Sequence, residues 1–176
     1  MAEKTRDLRW PWIALIAIIL IELFGGASAW LANSGYRNSW FDLLQKPPFM
    51  PPAWAFAVTW PILYALMGVS VAMIIAEPAS PRRQAALTLF FIQLALNFTW
   101  SPIFFKAHDI RLAKIIIFVM TAVAAAAAGQ FLRLRKAAGL LLIPYLAWLI
   151  FATMLNATIE DLNPVANHSL LRGAQR

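Results

Sequence analysis

WFDLLQKPPFMPPAWAFAVTWPILYALMG, residues 40–68, decides how the rest of the chain is read. Its first part is dense in proline: Pro47, Pro48, Pro51 and Pro52. Proline fixes φ, donates no N–H and pushes its predecessor to extended geometry, so this part cannot be helical throughout. Its second part is a long apolar run, with a helix start predicted at Pro52-Ala53. On that helix Phe56, Trp60 and Tyr64 recur at i, i+4, i+8 and fall near one face, with Met67 close by. A stiff loop above an aromatic helix face suggests a site for a flat apolar ligand.

The bulk composition sets the surroundings of that stretch. Of 176 residues, 61% are hydrophobic and only 13% charged, with a mean hydropathy of +0.67. Soluble domains are about half apolar and about a quarter charged, so a membrane protein is the expected class. The net charge of +7 does not point to nucleic acid. The basic residues form short clusters between apolar runs, where they face headgroups, and no nucleic-acid motif accompanies them. Cysteine is absent, which removes disulfides, thiolate nucleophiles and thiolate metal ligands.

Working outward, the hydropathy pattern predicts an all-α fold. Five transmembrane helices lie at about 12–30, 53–76, 84–105, 112–132 and 138–159, with the long first loop acting as a lid. One membrane domain, 10–160, follows a polar segment at 1–9 and precedes a polar tail at 161–176 that is expected to be disordered. Each span matches a hydrocarbon core of about 30 Å. The basic start and Ala27-Ser28-Ala29 resemble a signal peptide and cleavage site. The apolar run is longer than a usual signal core, and further spans follow, so a first span is expected. Lys and Arg number eight on one side and seven on the other, too even to orient the bundle.

Polar groups inside the spans are the candidates for function. Glu22 lies deep in the first span, where an ionised carboxylate costs about 2.5–3.5 kcal/mol. It is expected to face other helices, either lining a pocket or proton path or, in the preferred reading, as a neutral carboxyl bonded to a neighbouring helix. Gly25 and Gly26 allow close helix approach or a local break. The second span contains Pro61, which is expected to kink it. In the third span Gln93 and Asn97 stand at i, i+4, with Trp100 and Phe104 on the same side. These carboxamides either bind a polar ligand edge or join helices. Thr121, Ala125 and Gly129 of the fourth span form a small-residue packing surface rather than a ligand wall. In the fifth, Tyr145, Trp148, Ala152 and Asn156 share a face.

Three stretches then carry a resemblance. They are Lys46-Pro47 through Pro51-Pro52-Ala53-Trp54 to Trp60, Leu63-Tyr64 and Gly68; Gln93, Leu96-Asn97, Trp100-Ser101-Pro102 and Phe104-Phe105; and Pro144-Tyr145-Leu146, Trp148, Phe151-Ala152 and Leu155-Asn156. In order, on these spans, the chain resembles the translocator protein / tryptophan-rich sensory protein (TspO/MBR) family over about 12–156. The resemblance implies a five-helix membrane bundle, often a homodimer. Its ligands would be tetrapyrroles such as protoporphyrin and haem, held among the helices under the first loop, with no cofactor required. It implies a role in regulating or transporting porphyrins in stress or light and oxygen responses. The cell membrane is the expected location, with the outer membrane left open.

By position, the resemblance places Trp60, Trp148 and Asn97 in the pocket. Beside them the residue pattern offers Tyr64, Gln93, Tyr145, Phe41, Trp40, Trp100, Asn156 and Phe56 as ligand-binding candidates. Phe41 stands where some relatives have tyrosine, which removes a hydroxyl. No Lys or Arg stands within five residues after Tyr145, so the cholesterol-type motif is missing. Ligand carboxylates would prefer Lys46 or Arg37, while His108 and His168 are poorly placed to ligate haem iron. Two alternatives stay open: a light-dependent porphyrin-degrading enzyme using the indoles of Trp60 and Trp148, and a small secondary transporter with a path through Glu22, Gln93 and Asn97.

Overall fold

A computed structural model of the chain describes residues 10–164; the expectations for residues 1–9, for His168 and for most of the tail lie outside them. The elements are α1 Trp10–Leu31, a short α2 Ser39–Leu43, α3 Ala53–Ile75, α4 Pro81–Ser101 continued by a π-helical turn Pro102–Lys106, α5 Ile110–Leu134, α6 Lys136–Leu141 and α7 Ile143–Leu162. Counting α4 with its π turn and α6 with α7, five helical segments are long and apolar enough to cross a membrane. This is the all-α, five-span bundle that the hydropathy pattern implies.

Local chemistry fixes where the segments begin and end. Ser80 caps α4 by accepting from Arg83 N, with Pro81 in the first turn, and Asp109 caps α5 through Leu112 N. Arg83 donates to the last carbonyls of α3, Nε to Ile74 at 3.1 Å and Nη2 to Ile75 at 2.8 Å, so one side chain ends one helix while starting the next. Pro102 forces the wider π turn, and Leu142 interrupts the last span just before Pro144. α3 runs on through Pro61, which has no N–H to give to the Ala57 carbonyl.

Close approaches hold the bundle together. A Cβ on Gly68 would lie 2.8 Å from the backbone nitrogen of Ile18 and 2.9 Å from its Cα, so only glycine lets α3 lie this close to α1. Ser70 donates to the Ala138 carbonyl at 2.7 Å, joining α3 to α6. Phe90 of α4 stacks on Phe131 of α5, with ring centres 5.7 Å apart. At the lid end Lys114 of α5 pairs with Glu160 of α7. Large apolar side chains such as Trp12, Phe24, Phe118 and Met154 point outward, as a lipid-facing surface requires.

The first loop is not simply extended. Asn38, buried at 5% exposure, accepts from Phe41 N to cap α2 and donates its amide to the Phe105 carbonyl of the π turn at 3.1 Å. Asn33 (φ 49°) and Gly35 (φ 104°) make the left-handed turns that fold the loop back. Tyr36 donates its hydroxyl to the Pro51 carbonyl, closing the loop on itself. Phe41 and Leu44 form a buried apolar cluster with Phe104, Phe105 and Leu155.

Candidate functional site

Beneath this loop lies a cavity of about 490 Å³, within the range of about 300–1,000 Å³ common for small-molecule sites. All five spans and the loop line it. α3 supplies Phe56, Ala57, Trp60, Pro61 and Tyr64; α4 and the π turn supply Asn97, Trp100, Ser101, Phe104 and Phe105; α7 supplies Trp148, Leu149, Ala152, Leu155, Asn156 and Ile159. The loop contributes Ser34, Gly35, Tyr36, Arg37, Phe41 and Met50, and α1 contributes the stripe Glu22, Gly25, Gly26 and Ala29. The lining is mainly apolar, with charge confined to Glu22 and Arg37.

The aromatic wall is built edge to face. Trp60 and Trp148 stand 6.4 Å apart at 81°, and Phe56 meets Trp148 at 5.5 Å and 80°. Such pairs contribute about 0.5–1.5 kcal/mol each beyond burial, which stiffens the wall. Trp100 stacks on Phe104 at 5.0 Å and donates Nε1 to Asn156 Oδ1 at 3.3 Å. The Trp148 indole N–H, by contrast, is buried without an acceptor among the described residues. An unpaired buried donor is uncommon and costly.

The sequence candidates divide by depth. Trp60, Tyr64, Phe56, Asn97, Trp100, Trp148, Asn156 and Phe41 all border the cavity. Gln93 and Tyr145 do not; they lie one turn farther from the loop, under the cavity floor. Tyr64 donates to Asn97 Oδ1 at 2.8 Å, Asn97 Nδ2 donates to the Tyr145 hydroxyl at 3.2 Å, and Tyr145 donates to Gln93 Oε1 at 2.8 Å. Between the two readings of these amides, the structure uses Gln93 to join helices, while Asn97 both joins helices and borders the cavity. Asn156 likewise spends its amide on the Ile110 carbonyl at 3.2 Å.

Trp40 also stays off the wall. It stacks on His108 at 4.3 Å and 20°, and meets Phe104 edge-on at 5.6 Å, so it anchors the loop from outside. His108, held at φ 57°, faces Trp40 rather than the cavity. Lys46 is not on the wall either: its ammonium is bonded to the Asp42 and Leu44 carbonyls and sits 4.8 Å above the Phe41 ring. Of the two cations considered for a ligand carboxylate, only Arg37 borders the cavity.

α1 and α5 complete the wall: α1 supplies the Glu22 stripe, and α5 supplies Ile117 and Met120. The small-residue surface of α5 does lie away from the cavity, and a Cβ added to its Gly129 would meet nothing within 4 Å. The signal missed was therefore the first turns of the same helix, nearer the loop than that stripe. Glu22 forms neither of the two ion pairs among the described residues. Gly25, one turn further on, seats the Tyr64 ring, where a Cβ would come within 2.3 Å of Cε2. Gly26 has open space around it, and α1 is unbroken there.

This arrangement agrees with comparisons to known proteins. The TspO/MBR family pattern matches residues 9–162. The translocator protein of Ovis aries is 37% identical over 150 residues, covering 83% of this chain and 88% of the relative. Protein CrtK of Rhodobacter capsulatus is 34% identical over 129 residues, covering 72% and 80%. The tryptophan-rich sensory protein of Cereibacter sphaeroides is 37% identical over 126 residues, covering 72% and 78%. With five spans, a matching pattern along nearly all the described residues and relatives of this similarity, the chain is an integral multi-pass membrane protein and belongs to the TspO/MBR family.

Proposed function

We propose that this protein binds tetrapyrroles of the porphyrin and haem type in the cavity under its first loop, and that through this binding it regulates or transports them. The observation that carries the reading is the wall itself. Three indoles, Trp60, Trp100 and Trp148, with Phe56, face one apolar chamber whose loop end offers a single cation, Arg37. Flat π-systems stack on such rings in offset or edge geometry. A macrocycle with carboxylates on one edge would place that edge at Arg37, as a charge-assisted bond. The path required by a polar-group transporter is less supported, because the oxygen of Gln93 is taken by Tyr145 below the floor.

The test is a porphyrin titration of detergent-solubilised protein, followed by tryptophan quenching and by the porphyrin absorbance band. Trp60→Phe and Trp148→Phe are compared with wild type. Each is expected to weaken binding about two- to tenfold, the equivalent of one aromatic pair. Unchanged affinity in both variants would remove the site assignment. Illumination of the same samples separates binding from light-driven breakdown: product that forms equally without either indole would exclude a chemical role for them.

A further inference from the structure

The wall of the chamber is sealed unevenly. Its residues on α4, the π turn, α5 and α7 are all buried or half-buried, whereas Gly26 of α1 and Ala53, Ala57 and Pro61 of α3 are exposed. Ala53, Ala57 and Pro61 recur at i, i+4, i+8 and share one face of α3. Farther from the loop, Tyr64 and Gly68 of the same helix pack on Gly25 and Ile18 of α1. The two helices therefore touch in their far halves and part towards the loop. There α1 is held to α4 instead: Ser28 donates to the Phe98 carbonyl, and the Phe24 and Phe98 rings lie 6.1 Å apart. Among the described residues no hydrogen bond ties this part of α1 to α3, and a Cβ added to Gly26 would meet nothing within 4 Å. Between α1 and α3 there remains a slit at bilayer depth, edged by glycine, alanine and proline.

Larger side chains flank its loop end. Trp30 stands one turn beyond Gly26 on α1, and Trp54 stands two turns before Pro61 on α3. Neither borders the chamber, and both are turned outward, at 80% and 68% exposure. Indoles at the ends of spans sit at headgroup depth. Arg37, the cation at the loop end of the chamber, is exposed at the same end. An amphiphilic acid dissolved in a leaflet keeps its ring among the acyl chains and its carboxylates at the headgroups, because a charge in the hydrocarbon is costly. Moving sideways through the slit, it would bring its ring to the indole wall and its carboxylates to Arg37 without changing depth. Passage through the loop would first return the ring to water.

Resting on the tetrapyrrole reading above, we propose that the slit between α1 and α3 is a lateral portal, through which the chamber takes its guest from the lipid phase while the folded loop closes the aqueous face.

The experiment uses the absence of native cysteine, which makes Gly26→Cys a single thiol in the slit. The variant is reconstituted in phosphatidylcholine vesicles and capped with benzyl methanethiosulfonate, a plug that reductant removes. Uptake of protoporphyrin from donor vesicles and its release to acceptor vesicles are followed by tryptophan quenching. Ala57→Cys, on the facing edge, is treated in the same way and serves if the first variant does not fold. Phe118→Cys, on the lipid side of α5, controls for the label. The plug is expected to slow uptake and release together, each by about tenfold or more, as a clash on the passage requires, and reductant should restore both rates. Phe118→Cys should exchange equally fast capped and reduced. Slit variants that exchange as fast capped as reduced, or a plug that slows uptake but speeds release, would overturn the portal while leaving porphyrin binding intact. Absence of binding by wild type would overturn both readings.

Discussion

Asn163 bonds the backbone of Gln45 in both directions: Gln45 N donates to Asn163 Oδ1 at 2.9 Å, and Asn163 Nδ2 donates to the Gln45 carbonyl at 2.9 Å. The side chain at the end of α7 thereby substitutes for a strand partner of the loop. Asn163→Ala removes both bonds, and the one from Nδ2 to the Ile159 carbonyl at 2.8 Å, at a largely solvated site. The cost in global stability should be small, about 0.5–1.5 kcal/mol, while the loop itself loosens. Hydrogen exchange at Gln45 and its neighbours should accelerate, and a bound guest should leave faster. Exchange that stays at the wild-type rate would show that Asn38 and Tyr36 alone hold the loop.

Tyr145→Phe tests the network under the floor. It deprives Gln93 Oε1 and Asn97 Nδ2 of their shared partner. Hydrogen bonds between membrane helices average about 0.6 kcal/mol and reach about 1.7, so a loss of about 1–2 kcal/mol is expected in detergent unfolding. Porphyrin affinity should change less than it does with Trp148→Phe, because Tyr145 is not on the wall. A larger effect on affinity than on stability would place Tyr145 in the binding surface.

Gly68→Ala sets a methyl group against the backbone of Ile18, which cannot rotate away as a side chain would. Overpacking of this kind costs about 1–3 kcal/mol. Gly26→Ala is the matched control, since nothing lies within 4 Å of the added carbon, and it should be neutral or slightly stabilising on helix propensity. Thermal melts of the two variants that coincide would contradict the close packing of α1 on α3.

The loop should also respond to alkali. Tyr36 lies outside the spans, donates to the Pro51 carbonyl, and has its pKa raised by burial. The folded loop therefore holds this proton more tightly than the unfolded chain does. Its contribution is complete below the unfolded value of about 10 and is lost as pH rises through the folded value. Fluorescence of the loop tryptophan region should show an alkaline transition in wild type that Tyr36→Phe lacks; a transition that persists in the variant would assign it to another group.

Much of this was legible in the sequence. Twenty-residue apolar runs can satisfy their backbone in lipid only as helices, so the five spans followed directly. Phe56, Trp60 and Tyr64 share the cavity because helical spacing alone puts them on one face. Spacing did not say how deep the cavity goes. Gln93 and Tyr145 obey the same periodicity as Asn97 and Trp148, yet lie one turn too far from the loop. That depth depends on how α3, α4 and α7 pack, a tertiary fact. The prolines say that the loop is stiff but not that it turns helical; the signal for α2 is Asn38 before Ser39, an N-cap. Ile117 and Met120 line the cavity because they stand in the loop-proximal turns of α5, ahead of its small-residue stripe, and that depth is again a matter of packing.

The contact of Gly68 with Ile18 has a mechanical consequence. The loop leaves α1 at Leu31 and enters α3 at Ala53, so both of its roots are planted in a pair of helices clamped together by that contact. Ile18 lies 13 residues before the end of α1 and Gly68 15 residues into α3, so the clamp sits about 20 Å below those roots. It fixes the far half of the helix pair and leaves the loop to be held from across the bundle, by Asn38 on the Phe105 carbonyl and by Asn163 on the backbone of Gln45. Opening the chamber at its loop end therefore means parting hydrogen bonds to the π turn and to α7, not prying the two root helices apart.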